Sequence, residues 1–130
     1  MDTNEVVDPD SLAVLDADWV VRDMGQDVEG YLEVAEIFLE DLAASRAGLS
    51  SGAGGTAVAL LPLIHELANS LGVIGARRGT ALVRRTEHSL RNGVPLTAGE
   101  VSGQSLRVLD EAEAALRAWM AQSSRAVAGD

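Results

Sequence analysis

The sequence predicts an all-α protein, an antiparallel four-helix bundle with a short additional N-terminal helix. Apolar residues recur at three- and four-residue spacing over several long segments, and no segment alternates polar and apolar residues for long enough to indicate a strand. Short loops separate these amphipathic segments, which favours neighbouring antiparallel helices. At 130 residues, the chain can bury a single core without a disulfide or a metal.

The first two helices are predicted from their end signals and their apolar spacing. Residues 1–9 are polar and are expected to be flexible. A short first helix begins at Asp10 or Ser11 and ends at Gly25. A second helix covers about 27–47, where acidic residues fall between apolar ones. Its apolar stripe consists of Val28, Tyr31, Leu32, Ala35, Phe38, Leu39 and Leu42.

A glycine-rich loop is predicted between the second and third helices. Residues 50–55 contain three glycines, and each glycine disfavours a helix interior by about 1 kcal/mol. Thr56 then suits the N-cap of a third helix over about 57–75. Pro62 lies either in an early turn or at a kink of this helix, because proline lacks a backbone N–H. Gly75 suits the left-handed position that often follows a helix end.

A fourth and a fifth helix complete the predicted bundle. The fourth covers about 77–91 and ends at the Asn-Gly-Val-Pro run of residues 92–95. The fifth covers about 97–122, so that the helical domain spans 10–122 and residues 123–130 form a flexible tail. The residues of these two helices expected in the core are Ala81, Leu82, Thr86, Leu90, Val101, Leu106, Leu109, Ala112, Leu116 and Met120.

The charge is acidic and unevenly distributed. The formal net charge is -10; residues 1–41 hold 13 acidic residues and one arginine, whereas residues 42–130 hold nine arginines and seven acidic residues. Because nucleic acids and anionic membranes bind clustered positive charge, we expect neither as a partner. Cysteine is absent, which excludes thiol nucleophiles and Cys-ligated metal sites. With no basic N-terminal region and no long apolar run, we expect a cytoplasmic protein without a signal peptide or membrane span.

His65 is the candidate nucleophile. The apolar arc of the third helix consists of Leu60, Ile64, Leu67 and Leu71. His65 lies about 150° from the centre of that arc on a helical projection and is expected to face solvent. Histidine titrates close to neutral pH, so a neutral ring with a nitrogen lone pair is available as a covalent nucleophile. The small residues Ala68 and Gly72 leave room for a partner to approach in line.

The run from His65 to Ala76 resembles the signature of histidine-containing phosphotransfer (HPt) domains. In that family the signature reads His-x-Leu-Lys-Gly-Ser, followed by an apolar residue and Gly-Ala. The matching residues are His65, Leu67, Ser70, Ile74, Gly75 and Ala76. The resemblance extends over roughly residues 12–120 and includes the acidic second helix, Leu82 and Glu87. It implies a helical carrier in which His65 holds a phosphoryl group and no cofactor is needed.

Two positions depart from the family signature. Ala68 stands where the family has lysine, and Asn69 stands where it has glycine. In the family, that lysine helps to hold the phosphoryl group, and loss of a charged hydrogen bond costs about 1.5–3 kcal/mol. Asn69 lies one turn after His65, so its amide is a candidate for contacting the imidazole or the phosphate.

Arginines of the fourth helix are candidates to replace the missing lysine. In a hairpin that turns near Ala76, three cationic side chains come level with His65, namely Arg84, Arg85 and His88. We expect Arg84 or Arg85 to face the phosphoryl group, and the sequence leaves the choice between them open. His88 has no flanking motif and is expected to be an ordinary surface residue.

The resemblance implies that the partners are receiver domains of response regulators or hybrid histidine kinases. A receiver's phospho-aspartate would donate to His65, a second receiver would accept, and the receivers would supply the magnesium ion. The protein is expected to act as a monomer. The expected docking face consists of Leu61, Pro62, Ala68, Gly72, Val73 and Tyr31.

Two alternatives remain open at this point. In the first, the chain is an HPt-like binding module that docks receiver or kinase domains without transferring phosphate. In the second, it is a dimeric phosphoacceptor of the histidine-kinase type. An enzyme with its own turnover is not expected, because no acid–base pair or cofactor motif is visible. His65-Glu66 begins like a zinc-protease motif, but Asn69 occupies the position of the second histidine. No metal site is therefore predicted.

Overall fold

The computed structural model describes residues 8–128, and the regular secondary structure of that range is all helical. The five α-helices are α1 Ala17–Asp23, α2 Val28–Gly52, α3 Leu61–Ile74, α4 Arg77–Arg91 and α5 Ala98–Ala128. Two 3-10 turns precede α1 and α3, at Pro9–Ser11 and Val58–Leu60. The described range contains no strand, as the sequence predicts. Residues 1–7 and 129–130, parts of the two segments expected to be flexible, lie outside the described residues.

The core lies among the four longer helices. α2 and α4 each pack against both α3 and α5, and α1 contacts α2 and α3. The predicted apolar arc of α3 is buried, and so are Thr86 and Leu90 of α4. On α4, Val83 is buried in place of Ala81 and Leu82, which are half-buried; on α5, Val108 is buried and Leu106 and Met120 are half-buried. The helical period was therefore predicted correctly, with the inward direction rotated by about one residue on α4.

The C-terminal end of α2 corrects the first half of the loop predicted over residues 50–55: residues 50–52 are helical, and residues 53–55 form a turn as expected. The helix continues through Gly52, because the packing around its last turns offsets the low helix propensity of glycine. Leu49 is fully buried, and its carbonyl accepts a hydrogen bond of 2.7 Å from the Ser102 hydroxyl of α5. A Cβ at Gly52 would clash with the Leu60 side chain. Glycine at this position, the last residue of α2, allows close packing against Leu60.

The end of α3 follows the sequence signal, whereas its start corrects the prediction: the helix begins at Leu61 with Leu60 as its N-cap, and not after Thr56. The Thr56 hydroxyl accepts a hydrogen bond of 3.3 Å from the Ala59 N–H, in the 3-10 turn that precedes the helix. Pro62 lies in the first turn of α3, where its missing N–H has no partner to lose. Gly75 has φ +84 and occupies the predicted left-handed position. Pro62 therefore lies in an early turn of α3 and not at a kink.

An extended segment before α1 holds the α3–α4 turn in place. The Asp16 N–H donates a hydrogen bond of 2.8 Å to the Gly75 carbonyl, and the Arg78 N–H donates one of 2.9 Å to the Ala13 carbonyl. The Arg78 guanidinium donates another, of 3.1 Å, to the Leu12 carbonyl. The N-terminal segment is therefore fixed to the turn at several points, and the turn is shielded from solvent.

Tyr31 is a core residue, which corrects its assignment to the docking face. Its side chain is fully buried, and its hydroxyl donates a hydrogen bond of 2.6 Å to the Ile74 carbonyl. Its ring meets the Trp119 ring edge to face, with centroids 5.0 Å apart. Burial raises the pKa of Tyr31, with a smaller contribution from Asp18, so the hydroxyl remains a donor. Tyr31 thereby connects α2 to the end of α3 and cannot contact a partner.

α5 continues beyond its predicted end at residue 122. It reaches Ala128, and no glycine or proline occurs between 122 and 128 to interrupt it. The described part of the predicted tail is thus helical. Although α5 is 31 residues long, neither it nor any other helix in the described range has the length and apolar character required to cross a bilayer.

Gly75→Ala is expected to destabilise the protein more than Gly93→Ala. Both glycines have positive φ, +84 and +75, so both alanines incur a left-handed backbone cost of about 1–2 kcal/mol. At Gly75 the new Cβ would also lie 2.7 Å from Val20 Cγ2 and 2.8 Å from the Asp16 carbonyl oxygen, whereas nothing lies within 4 Å at Gly93. We expect an additional loss of about 1–3 kcal/mol in the free energy of unfolding. Equal losses in urea titrations would contradict this account.

Candidate functional site

The candidate site is built around the side chain of His65 in the second turn of α3. The flanking residues Ile64 and Leu67 are buried in the core. The side chain of His65 is 51% exposed, on the opposite face of the helix. This exposure agrees with the helical projection. The imidazole is accessible to another molecule while its helix is anchored on the core side.

A buried carboxylate of α4 holds the imidazole. Glu87 Oε2 lies 2.7 Å from His65 Nδ1, and the Glu87 side chain is 11% exposed. The guanidinium of Arg91 donates to the same oxygen, at 2.9 Å from Nη2 and 3.3 Å from Nε. The hydrogen bonds from His65 and then Arg91 hold the pKa of Glu87 below its usual value, against the opposing effect of burial. Glu87 is therefore ionised at neutral pH.

The ionised partner determines which nitrogen of His65 can act as a nucleophile. A carboxylate accepts hydrogen bonds and does not donate them, so the neutral ring must carry its proton on Nδ1. The lone pair then lies on Nε2, which has no hydrogen-bond partner within the described part of the chain. A carboxylate that fixes the tautomer and stabilises positive charge on the ring is the arrangement expected of an activated histidine.

The register of α3 and α4 places one arginine beside the site. Cross-helix contacts pair His65 with Glu87, and a Cβ at Gly72 would lie 3.9 Å from the Thr80 side chain. Position 68 lies between His65 and Gly72, and the residue level with it on α4 is Arg84. On α4, positions 80, 84 and 87 follow four- and three-residue spacing and share one face. Arg84 is therefore level with position 68, on the face of α4 that also carries Thr80 and Glu87.

The other two candidates on α4, Arg85 and His88, lie away from the face that carries Glu87. Arg85 is exposed and lies about 100° from Arg84 and about 160° from Glu87 around the helix axis. His88 Nε2 lies 3.1 Å from Asn92 Nδ2, at the end of α4. Of the two arginines between which the sequence left the choice open, Arg84 is the one that lies on the Glu87 face of α4.

The expected docking residues divide into exposed and buried ones. Pro62, Gly72 and Val73 are exposed, with Val73 at 56%, and Leu61 is half-buried. Ala68 is fully buried, which corrects its assignment to the exposed face. It lies on the flank of α3 that packs against α4, and its small side chain allows that close approach. Together with the burial of Tyr31, this limits the accessible surface to the solvent side of α3.

Asn69 is exposed and lies one turn after His65. Its amide makes no hydrogen bond to another described residue. The amide is thus available to a group bound at Nε2, although the structure does not bring it into contact with the imidazole.

The role of Glu87 and Arg91 at the site was missed from the sequence. Glu87 was recognised as part of the family pattern but not as the partner of His65, and Arg91 was assigned no role. Their four-residue spacing is a signal for an ion pair on one helix. The contact with His65 depends on the register between two helices, which no local pattern specifies.

Comparisons with protein-family models, with curated proteins and with solved structures find no match to this chain. Within residues 8–128, no three His, Asp or Glu side chains are grouped so that they could hold a metal ion. The functional interpretation therefore depends on the geometry around His65.

The neutral ring of His65 is expected to be protonated on Nδ1. Long-range ¹⁵N–¹H correlation spectra recorded at alkaline pH should show Nε2 as the unprotonated nitrogen. Glu87→Ala removes the acceptor and should increase the Nε2–H tautomer, whereas Glu66→Ala, an exposed control on α3, should change nothing. An identical tautomer mixture in all three proteins would show that Glu87 does not orient the ring.

Proposed function

We propose that this protein is a phosphoryl carrier of the HPt type. In this proposal, the four longer helices form an antiparallel four-helix bundle with α1 as the short additional helix. His65 accepts a phosphoryl group from the phospho-aspartate of one receiver domain and passes it to another. The observation that carries the proposal is the half-exposed imidazole, held through Nδ1 by a buried carboxylate so that Nε2 points its lone pair outward.

The transfer step follows from this arrangement. The Nε2 lone pair attacks the phosphorus of the partner's acyl phosphate, and the bond between phosphorus and the aspartyl oxygen breaks. The partner's aspartate carboxylate leaves with the electrons of that bond. No proton has to leave Nε2, because the proton of the ring is on Nδ1. The positive charge that develops on the ring is stabilised by Glu87, and the reverse step delivers the phosphoryl group to the next receiver.

Arg84 supplies positive charge for the transferred phosphoryl group. It is exposed, it is level with Ala68, and it makes no ion pair with another described residue. Arg91 is less available, because it is already bound to Glu87. By the resemblance, magnesium belongs to the receiver domain, so the carrier needs a nucleophile, a cation and an accessible face. A cytoplasmic monomer without turnover chemistry of its own satisfies these requirements.

His65 is expected to become labelled by phosphorylated receiver domains. Incubation with a panel of receivers carrying radiolabelled acyl phosphate should give an acid-labile label on the wild type. The label should be lost in His65→Gln and kept in His88→Gln, which removes the other histidine. A label of equal strength in His65→Gln would refute the assignment of the nucleophile.

The same experiment separates the two alternatives. Receiver binding without any label would indicate the binding module. A dimeric mass in light scattering, with labelling by a kinase ATPase domain and not by receivers, would indicate the dimeric phosphoacceptor.

Arg84→Ala is expected to slow phosphorylation of His65 about 10- to 100-fold, the range that corresponds to a lost charged hydrogen bond. Arg85→Ala, a matched control on the next residue, should remain within about twofold of the wild type. Single-turnover transfer from a phosphorylated receiver measures both rates. Wild-type rates in both variants would remove the role assigned to Arg84.

A further inference from the structure

An open groove lies beside the site. One wall is formed by α1 and the segment before it, and the other by the α3–α4 hairpin. It has a volume of about 550 Å³ and is lined by Leu12, Trp19, Gly72, Thr80, Arg77 and Arg84, among others. Gly72 leaves open space in the floor of the groove: a Cβ there would meet nothing nearer than Thr80 at 3.9 Å. A surface depression of this kind accepts a protruding side chain of a partner.

Trp19 forms an exposed apolar wall of the groove. It is 53% exposed, whereas the other three aromatic residues of the chain are buried or half-buried. Its backbone is held at the start of α1, where the Asp16 carboxylate accepts a hydrogen bond of 3.3 Å from the Trp19 N–H. Aromatic residues in such positions contribute much of the binding energy of protein interfaces.

The walls of the groove are fixed before any partner binds. The Arg78 guanidinium donates to the Leu12 carbonyl, and the Asp16 N–H donates to the Gly75 carbonyl. The segment that carries Leu12 and Asp16 is thereby joined to the α3–α4 hairpin, which forms the opposite wall. A preformed groove avoids the entropic cost of ordering a loop on binding.

The charge of the groove is opposite to that of the chain. The formal net charge of the protein is -10, but the groove is lined by Arg77 and Arg84, and neither arginine makes an ion pair within the described residues. Two unpaired guanidinium groups beside an apolar wall are complementary to an apolar side chain flanked by carboxylates.

The groove is close enough to His65 to take part in docking. Gly72 follows His65 by seven residues on the same face of α3, which corresponds to a distance of about 10 Å along the helix axis. A partner seated in the groove would therefore extend over the imidazole.

We infer that this groove is the docking site for the partner receiver domain and that it selects receivers whose surface presents an apolar side chain flanked by Asp or Glu. The inference rests on the proposed function, because the occupant is the domain that exchanges phosphate with His65. Trp19 and the open space at Gly72 bind the apolar group, and Arg77 binds a flanking carboxylate, while Arg84 remains for the transferred phosphoryl group. Specificity is thus set mainly by Trp19 and Arg77, and Arg84 is shared with the transfer site.

The first test measures transfer from the receiver that labels His65 best. Trp19→Ala and Arg77→Glu should each raise KM at least tenfold, with a smaller change in kcat. Arg107→Glu makes the same change in charge on a different surface, beside Leu96 and Gln104, and should leave both constants unchanged. Circular dichroism checks that each variant is folded. A KM within twofold of the wild type in both groove variants would overturn the inference while leaving the proposed function intact.

The second test needs no phosphate transfer. A short helical peptide of leucine, alanine and glutamate is added to the ¹⁵N-labelled full chain, and a matched peptide with lysine in place of glutamate serves as the control. The glutamate peptide should shift the resonances of the Trp19 indole and of the Gly72 and Thr80 amides, and the lysine peptide should not. If these shifts occur although no receiver labels His65, the groove stands and the proposed function fails. Equal shifts with both peptides, or none with either, would overturn the inference.

Discussion

The hydrogen bond between His65 and Glu87 is the interaction on which the functional interpretation depends. It joins α3 to α4 at 2.7 Å and sets three properties at once: the orientation of the imidazole, its tautomer and the charge available to stabilise a modified ring. Each of these properties requires the two helices to be held in register. The α3–α4 turn, with Gly75 in the left-handed conformation and the segment before α1 bonded across it, is what holds them.

Burial of Glu87 has a cost that the surroundings offset. A carboxylate removed from water is unfavourable unless it is paired and hydrogen-bonded. Here one oxygen accepts from His65 and from Arg91, and the pKa of Glu87 is lowered by these bonds despite burial. The exposed half of the imidazole then faces solvent with its lone pair free. The protein thus places the costly charge inside and leaves Nε2 outside, as the proposed carrier function requires.

The fold was predicted in outline because helix formation follows local signals. The bounds of α4 agree with the prediction, and Gly75 follows the end of α3 as expected, whereas α1 and α3 begin later than predicted, at Ala17 and Leu61. The errors occurred where tertiary packing outweighs propensity. At the end of α2, the burial of Leu49 and the contact of Gly52 with Leu60 extend a helix that three glycines predict to stop. Tyr31 and Ala68 were placed at the surface because periodicity on one helix does not show which flank a neighbouring helix covers.

The sequence by itself determined that the chain is helical, that it lacks cysteine chemistry, and that His65 faces away from the apolar side of its own helix. These properties depend on residue type and on a period of about 3.6 residues, both of which are local. The tertiary structure decided which carboxylate holds the ring, which residue of α4 is level with position 68, and that a groove lies beside the ring. Those facts depend on the register between helices, and register is set by the packing of the whole core rather than by any one segment.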